Sequence, residues 1–431
     1  MELSTQFSPS VSSPRHWRFF IMFGLLALFA LALHSQMYHY NLGLMIDEHP
    51  HYGQISMFLR GEFKQLPSLT TIPGYHAVCA FIGKYLHLSG PNHIRLISLL
   101  IVLASVIVIY FCFRKTVPEA ALPRSLAFFF LPVMFPYNFL IYTHSLSMLT
   151  VLLGLYFYLD KRLWLCAAMM LLSLLVRQTN IIWVAAIATM VVIDDWQNQK
   201  QLATYHLRAW RIKLLPFALL FAAFVTFVAI NGGVAIGDAN RHPVGMSVGN
   251  LYFYMVCFFL VFLPIIVKNS KNYWHAIKQR ALIRIEFNNH EYKLPVSVAW
   301  LGGIFFIAYM LLFKVVHPYN FVPGFVHNTI PLYFTSSTLL KATWILPIFA
   351  TVIGAFVFKL TRPSAYILYP VFIALLLLHP MIEHRYYIPA MTLWLVFLSH
   401  QGKKMEWLLL GYFGLLSATL VWVKFNLGLF P

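Results

Sequence analysis

The feature that most constrains this sequence is its series of apolar runs, each about as long as a membrane is thick. Hydrophobic residues make up 60% of the 431 residues and charged residues only 10%. Such runs, separated by short polar loops, indicate a polytopic helical membrane protein. A soluble domain needs a polar region of about 50 residues or more, and the sequence contains none. We therefore expect one integral membrane domain over 1–431.

The apolar runs predict an all-α bundle of about thirteen transmembrane helices. A cytoplasmic N-terminal tail, 1–18, places most of the 31 Lys and Arg on the cytoplasmic side, Arg124 included, as the positive-inside rule requires. The first run follows Arg15 and Arg18 without a convincing cleavage site, so we predict an uncleaved helix. The predicted spans are 19–34, 95–113, 125–142, 145–160, 163–176, 180–193, 214–230, 250–267, 296–316, 342–359, 365–379, 385–399 and 406–424.

The sequence excludes several functional classes. The net charge of +18 is explained by membrane topology, and no basic run with interleaved stacking aromatics indicates nucleic-acid binding. The four cysteines lie in apolar surroundings without paired spacing, which argues against disulfides and a zinc site. The carboxylates show no recognisable ligand cluster, so we expect no metal and no cofactor.

The polar stretch 45–74 directly follows the first apolar run and contains Asp47 and Glu48. Only 13 residues in the chain are acidic, so an adjacent pair just past a membrane span is unusual. We predict an outer loop over 35–94 that carries this pair. Within the loop we expect amphipathic surface helices at about 46–60 and 74–87, the first with Ile55, Phe58 and Leu59 on a side that faces lipid.

Arg177 interrupts the apolar stretch LLSLLVRQTNIIW. An arginine near hydrocarbon costs a few kcal/mol unless it is paired, snorkels or faces a polar cavity. One interpretation is a tight turn with a snorkelling guanidinium. The other is a phosphate or carboxylate ligand, which suits the planar fork of arginine. We favour the second, because Gln178, Thr179 and Asn180 add more hydrogen-bonding groups than a turn requires.

The predicted topology collects further polar groups on the outer face. These groups belong to segments that resemble motifs, whereas the cytoplasmic loops are ordinary basic segments. The outer residues are Asp47, Glu48, Glu62, Arg177, Asp238, Arg241, His242, His317, His327, His379, Glu383, His384 and Arg385. The sequence contains neither a Gly-rich phosphate loop nor an Asp-x-Asp motif. An enzyme on the outer face also has no ready supply of nucleotide-activated substrates, so its activated donor would have to arrive through the membrane, as a lipid phosphate would.

The chain resembles a known family through an ordered set of motifs. These are MIDEHPHYGQ, TTIPGYH, NFLIYTHSLSM, VRQTNIIW, NGGVAIGD followed by His242, HPYNF and EHRYYIP. In this order they resemble the dolichyl-phosphate-glucose-dependent alpha-1,2-glucosyltransferases, which add the last glucose to a lipid-linked oligosaccharide. The family belongs to the GT-C superfamily of polyprenyl-phosphate-sugar transferases, and the resemblance extends from about 40 to 400.

The resemblance implies roles for individual residues. It places Asp47 in the catalytic position, with its neighbour Glu48 as the second catalytic carboxylate. It also implies inversion from a beta-linked donor to an alpha-1,2 linkage on a lipid-linked glycan acceptor. A carboxylate there could accept the proton of the acceptor hydroxyl. The donor phosphate and sugar would contact Arg177, Gln178, Asn180, His379, His384, Arg385, Tyr386 and Tyr387. Other residues expected to line the site are Asp238, His242, His317, Tyr319 and Glu383.

The sequence also departs from the family. His144 stands where the family usually has an acidic residue, which leaves the sugar open. In the segment 317–333 only the HPY start, His327 and Asn328 are recognisable. The compact chain would fit a prokaryotic relative with another polyprenol, so the expected location is the endoplasmic reticulum membrane in a eukaryote or the plasma membrane in a prokaryote, with the site on the lumenal or periplasmic face. The alternatives are a lipid-linked sugar transporter or flippase and a regulatory subunit.

Overall fold

The computed structural model describes residues 16–39, 43–45, 47–198, 203–237, 245–278, 282–287 and 290–430. The chain divides into two units, Met1–Gly43 and Leu44–Pro431. The first unit contains one helix, α1 (His16–His39), whose 24 residues span about 36 Å at 1.5 Å per residue. This length is enough to cross a bilayer. Of the predicted tail, 1–18, residues 1–15 lie outside the described part of the chain.

Over its described residues, the second unit is a helical assembly with one small hairpin. Its elements are α2 (Glu48–Leu59), α3 (Gly74–Tyr85), α4 (Pro91–Thr116), α5 (Ala121–Phe129), α6 (His144–Leu159), α7 (Leu163–Val176), α8 (Ile181–Asn198), α9 (Ala203–Asn231), α10 (Gly249–Val261), α11 (Leu263–Lys268), α12 (Ser270–Lys278), β1 (Leu282–Phe287), β2 (His290–Ser297), α13 (Val298–Leu312), α14 (Val326–Thr335), α15 (Thr338–Ala342), α16 (Ile345–Val357), α17 (Leu368–Leu377), α18 (Tyr387–Phe397) and α19 (Lys403–Leu427). The antiparallel pair β1 and β2 was not predicted from the sequence.

The predicted class, an all-α polytopic membrane protein, is confirmed. In the described part of the chain, six helices are long and apolar enough to cross a membrane: His16–His39, Pro91–Thr116, Gln178–Gln197, Arg211–Asn231, Thr338–Val357 and Lys403–Leu427. Five shorter apolar helices accompany them: His144–Leu159, Leu163–Val176, Gly249–Val261, Val298–Leu312 and Pro363–Leu377.

The predicted span 125–142 is wrong. Helix α5 ends at Phe129, and the chain continues through a 3-10 turn, Phe135–Phe139, and an irregular segment to residue 143. Pro132 and Pro136 break the helix because proline has no N–H and clashes with the preceding turn. Asn138 compensates by donating to the Phe129 carbonyl at 2.9 Å. The break brings backbone and aromatic side chains of this segment to the candidate site.

The two predicted helices of the first loop exist, as α2 and α3, but α2 does not turn its apolar residues to lipid. Ile55 is completely buried in a cluster with residues of α3, α4 and α6, and Phe58 and Leu59 pack against that cluster. Helix α3 instead has the exposed apolar side, with Phe81 62% and Tyr85 70% exposed. The exposed apolar side of the first loop therefore belongs to α3, while α2 packs against the protein.

Arg124 is not the solvated loop charge that the topology prediction assumed. It is fully buried on α5, where Nε and Nη2 donate to the Glu406 carboxylate of α19 at 2.8 and 2.7 Å. The remaining donors contact backbone carbonyls, including that of Leu395 at 3.0 Å. A buried charge must be paired and hydrogen-bonded to be tolerated, and this pair joins two helices that are distant in sequence.

Candidate active site

Asp47 and Arg385 form the centre of the candidate site. Asp47 precedes the first residue of α2, and its Oδ2 accepts from Arg385 Nη1 at 2.9 Å. The Asp47 side chain is 44% exposed, whereas Arg385 is 14% exposed. The guanidinium lies over the rings of Tyr142 and Tyr137, 5.2 and 5.8 Å from their centroids, an arrangement that stabilises a cation. An accessible carboxylate is thus held by a fixed, nearly buried cation.

Glu383 holds Arg385 from the other side. Its Oε2 accepts from Arg385 Nη2 at 2.7 Å, and only 3% of the Glu383 side chain is exposed. Burial alone would raise the pKa of Glu383, but Arg385, together with His327 and His384, outweighs it and lowers the pKa below its ordinary value. Burial lowers the pKa of His384 to about 3. At neutral pH, Glu383 is therefore ionised and His384 is neutral.

Arg177 lies on the other wall of the same cleft, between α7 and the 3-10 turn Gln178–Asn180. Its Nη1 donates to Nε2 of His144 at the start of α6. Among the described residues, Arg177 has no carboxylate within ion-pair distance. The lining of this cleft is shared by Arg177 and Arg385 and is completed by His144, Ser147, Met148, Thr179, Asn180, Trp183, Leu375, His379, Tyr386, Ile388 and Pro389. The cleft therefore offers two guanidinium groups to an anionic ligand.

Glu48 is buried away from the candidate site, unlike the exposed Asp47, and the expectation of a second reacting carboxylate is corrected. Its side chain is fully buried, and both oxygens accept from Arg95 of α4, at 3.0 and 2.6 Å. The backbone N–H groups of Met45 and Ile141 also donate to it, at 2.9 and 2.8 Å. All its accepting capacity is used inside the protein, so Glu48 positions the loop and cannot reach a substrate.

The residues after Arg177 divide into packing and cleft-lining groups. Gln178 is 3% exposed and donates to the Thr70 carbonyl at 3.3 Å, which ties this turn to the first loop. Asn180 is also 3% exposed and donates to Ser147 Oγ and to the Ser173 carbonyl, at 2.9 and 3.0 Å. Asn180 is one of the residues that line the cleft, and its side-chain amide connects α6 to α7 through these two hydrogen bonds. The polar residues 178–180 therefore serve to hold the shape of the turn as well as to offer groups that could bind a ligand.

The segment 379–387 is held by Asn250 of α10. The Asn250 amide nitrogen donates to the carbonyls of His379 and Met381, at 2.7 and 2.6 Å, and its oxygen accepts from Glu383 N and Tyr387 Oη, both at 2.9 Å. Tyr387 is completely buried, so the expectation that it lines the sugar site is corrected.

His379 and Tyr386 remain in the cleft wall. Their ring centroids are 4.4 Å apart, and both side chains are partly exposed there. His379 also approaches the Leu375 carbonyl through Nδ1, at 3.1 Å. These two aromatic rings, tilted by 52° to one another, lie beside Arg385 and form an apolar surface with polar edges, which suits a sugar ring or the start of a lipid chain.

The HPYNF segment holds the backbone next to the site in place through hydrogen bonds. The side chain of Asn320 donates to the Ile382 carbonyl and accepts from Ile382 N, both at 2.8 Å, and donates to Asn328 at 2.8 Å. His317 is 5% exposed and accepts from the N–H of Tyr319 at 3.3 Å, so it acts in the local turn. Tyr319 is 43% exposed. Neither is among the residues that line the cleft, and the contribution of Asn320 was missed.

Asp238 and His242, two further predicted site residues, lie outside the described residues. The sequence analysis in turn missed His51, which faces the site from α2. Its Nδ1 is 2.9 Å from His76 Nε2 of α3, and its ring centroid is 5.6 Å from that of Tyr142. Burial, followed by the charges of Arg385 and Arg177, lowers the pKa of His51 to about 3. A helical spacing of four residues after Asp47 is the signal that could have found it.

A comparison with the sequence models of known families shows which family the chain belongs to. Residues 43–396, which include all the described residues of this site, match the sequence model of the DIE2/ALG10 family. The chain belongs to the DIE2/ALG10 family. No solved structure gives a significant match.

Several curated family members are similar to the chain. It is 29% identical to a Kluyveromyces lactis protein over 361 residues, which cover 76% of this chain and 63% of the relative. A Drosophila melanogaster protein is 27% identical over 49% of this chain and 54% of its own length. A human protein is 24% identical over 62% of this chain and 63% of its own length. All three are named Dol-P-Glc:Glc(2)Man(9)GlcNAc(2)-PP-Dol alpha-1,2-glucosyltransferase. The chain spans about half to two thirds of the length of these relatives.

Proposed function

We propose that this family member transfers glucose from a dolichyl-type polyprenyl phosphate to a lipid-linked glycan, with inversion, to form an alpha-1,2 linkage. The observation that carries the proposal is the exposed Asp47 carboxylate, held by Arg385 at the edge of a cleft that also contains Arg177. The names of the relatives supply the donor and acceptor classes. We place the reaction on the lumenal or equivalent outer face of the membrane.

Asp47 is the proposed general base. Among the described residues, its Oδ1 has no hydrogen-bond donor, and the side chain is the exposed member of the acidic pair. The acceptor hydroxyl would give its proton to Asp47 as its oxygen forms the bond to the anomeric carbon. Attack on the face opposite the phosphate of a beta-linked donor gives the alpha product.

The two arginines are the proposed phosphate ligands. When the bond between the anomeric carbon and the phosphate oxygen breaks, the electron pair stays on the phosphate, whose charge rises from about −1 to −2. Fixed donors aimed at a developing charge stabilise the transition state most effectively. Arg177, which has no acidic partner in the described part of the chain, is available for this charge. Arg385 has five N–H donors and can contact phosphate while it keeps Glu383.

His144 makes Arg177 more available. An imidazole that accepts from Arg177 carries no negative charge, whereas an acidic residue there would neutralise the guanidinium. We therefore propose that the substitution at this position alters the phosphate side of the cleft, and that the choice of sugar depends on His379 and Tyr386.

The test is sugar transfer in proteoliposomes that contain polyprenyl-phosphate glucose and a lipid-linked oligosaccharide. We compare the wild type with Asp47→Asn and with Glu62→Gln, a matched control in the same loop whose side chain is 49% exposed. Loss of transfer only in Asp47→Asn, at unchanged thermal stability, supports the proposal. Equal transfer by both variants contradicts the role of Asp47. Movement of labelled lipid across the bilayer without transfer would favour a flippase.

A further inference from the structure

A group of three potential metal ligands is formed by His327, Glu383 and His384, and we call it the His-Glu-His cluster. The exposed fractions are 7% for His327, 2% for Glu383 and 7% for His384. One ligand atom from each residue lies within 4.8 Å of the others. His327 lies in α14, and the other two residues lie in the segment before α18. No local spacing in the sequence therefore predicts this cluster.

The distances within the cluster do not fit hydrogen bonds. Glu383 Oε2 is 3.6 Å from His327 Nε2, and Glu383 Oε1 is 3.5 Å from His384 Nδ1. A good N–H···O hydrogen bond is about 2.7–3.2 Å long. Two ligand atoms that share a tetrahedral metal ion at about 2.0–2.1 Å are about 3.4 Å apart. The two separations involve different oxygens of Glu383, so they suit a carboxylate that ligates one ion through both oxygens.

The surroundings of His384 also fit a metal ligand. Its second nitrogen, Nε2, is 3.0 Å from the hydroxyl of Tyr137. With Nε2–H donating to the phenol oxygen, the Nδ1 lone pair is directed to the cluster. Histidine ligands almost always have their other nitrogen anchored in this way, which fixes the tautomer and the ring orientation.

The charges around the cluster permit a dication. Arg385 contacts Glu383 Oε2 at 2.7 Å and Asp47 Oδ2 at 2.9 Å, so these three groups carry one net negative charge. A carboxylate has about four lone-pair positions. Arg385 Nη2 and the backbone N–H of Arg385 use two of them, at 2.7 and 3.4 Å, and leave one on each oxygen. Two imidazoles and one carboxylate form a donor set that zinc accepts, with a further position open.

We propose that His327, Glu383 and His384 bind one zinc ion. The ion fixes the turn that carries Arg385 and thereby the position of Asp47. The metal site does not require the transferase reaction, and its test does not depend on that reaction. This replaces the sequence expectation that the protein holds no metal.

The experiment uses the full chain purified in detergent, stripped with a chelator and titrated with Co²⁺ alone. The visible absorption of Co²⁺ is intense in a four-coordinate site and weak in the six-coordinate aqua ion. We expect one saturable Co²⁺ per chain, displaced by one equivalent of Zn²⁺. We expect His327→Gln and His384→Gln to weaken binding by about a hundredfold or more. His93→Gln, an exposed histidine outside the cluster, is the matched control and leaves binding unchanged.

A second variant keeps the proposal testable if these substitutions disturb folding. His327→Cys retains a zinc ligand, so it binds Co²⁺ and adds a thiolate-to-cobalt charge-transfer band in the near ultraviolet. Absence of saturable Co²⁺ and Zn²⁺ binding by the folded wild type overturns the proposal. So does binding that His93→Gln weakens as much as His327→Gln, or a folded His327→Cys variant that binds Co²⁺ without the charge-transfer band.

Discussion

Glu48 and Arg95 form a two-point ion pair, at 3.0 and 2.6 Å, that has no contact with solvent. It joins the first residue of α2 to α4, the long helix that packs along α5 and α6. Asp47, one residue earlier, is thereby fixed at the edge of the cleft. Within the acidic pair, Glu48 therefore anchors the start of α2, and Asp47 is the carboxylate proposed to react.

The first prediction concerns this anchor. Glu48→Gln leaves the Arg95 charge buried without its partner, which costs about 3–5 kcal/mol of folding free energy. We expect a clear fall of the thermal unfolding midpoint, measured in detergent, while Asp47→Asn keeps the wild-type midpoint. Glu62→Gln removes an exposed ion pair with Arg60 and should change stability by less than about 1 kcal/mol. A midpoint that falls equally in Glu48→Gln and Glu62→Gln contradicts the assignment.

The second prediction separates charge from geometry at Arg177. Arg177→Gln should lower kcat/KM for the polyprenyl donor by about 10²–10³, the effect of losing one donor to a developing oxyanion. Arg177→Lys keeps the charge but loses the planar fork, so we expect an intermediate value. Steady-state transfer kinetics over a range of donor concentrations measures both. The control is Arg162→Gln, whose side chain is 65% exposed; unchanged kinetics in Arg177→Gln would exclude Arg177 from phosphate binding.

The third prediction concerns Asn250, whose side-chain amide makes four hydrogen bonds to the segment 379–387. Asn250→Ala removes all four and should destabilise the protein by about 3 kcal/mol, because buried backbone groups lose their partners. Asn250→Asp keeps the volume but places a carboxylate against the carbonyls of His379 and Met381, so it should be at least as harmful. Thermal unfolding and transfer rate are the measurements, with exposed Asn272→Ala as control. Wild-type stability in Asn250→Asp would contradict the bonding pattern.

The fourth prediction is a pH dependence through His51. Its neighbours are His76 of α3, Tyr142, Arg385 and Arg177, and burial first, then the two arginines, lowers its pKa from 6.5 to about 3. Between these values the unfolded chain binds a proton that the folded protein does not, so stability falls as pH falls below about 6.5.

Unfolding midpoints measured from pH 7.5 to 5 test this sign. His51→Gln should remove at most about 2 kcal/mol of the acid loss, at 1.36 kcal/mol per pH unit. His93→Gln provides the matched control. An acid loss in His51→Gln as large as in the wild type would exclude His51 as its source.

The sequence predicted the class of the fold, and it singled out Asp47 and Arg177 as candidate site residues. Apolar length determines which segments can enter a bilayer, and a charge that interrupts such a segment is visible without coordinates. It failed at 125–142, where apolar composition alone suggested a span although Pro132 and Pro136 break it. It also failed to separate Asp47 from Glu48, because adjacency along the chain does not tell which carboxylate faces water.

The sequence by itself determined that this is a multi-pass helical membrane protein with ionisable groups in the loops between its apolar helices, because the apolar length of a segment is a local property of the chain. Only the tertiary structure decided which of those groups meet. Arg95 reaches Glu48, Asn250 reaches the segment around Glu383, and His327 reaches Glu383 and His384 across 56 positions in the chain. Such pairs depend on the packing of helices that are distant in sequence, since a desolvated polar group is stable only where its partner has been brought to it.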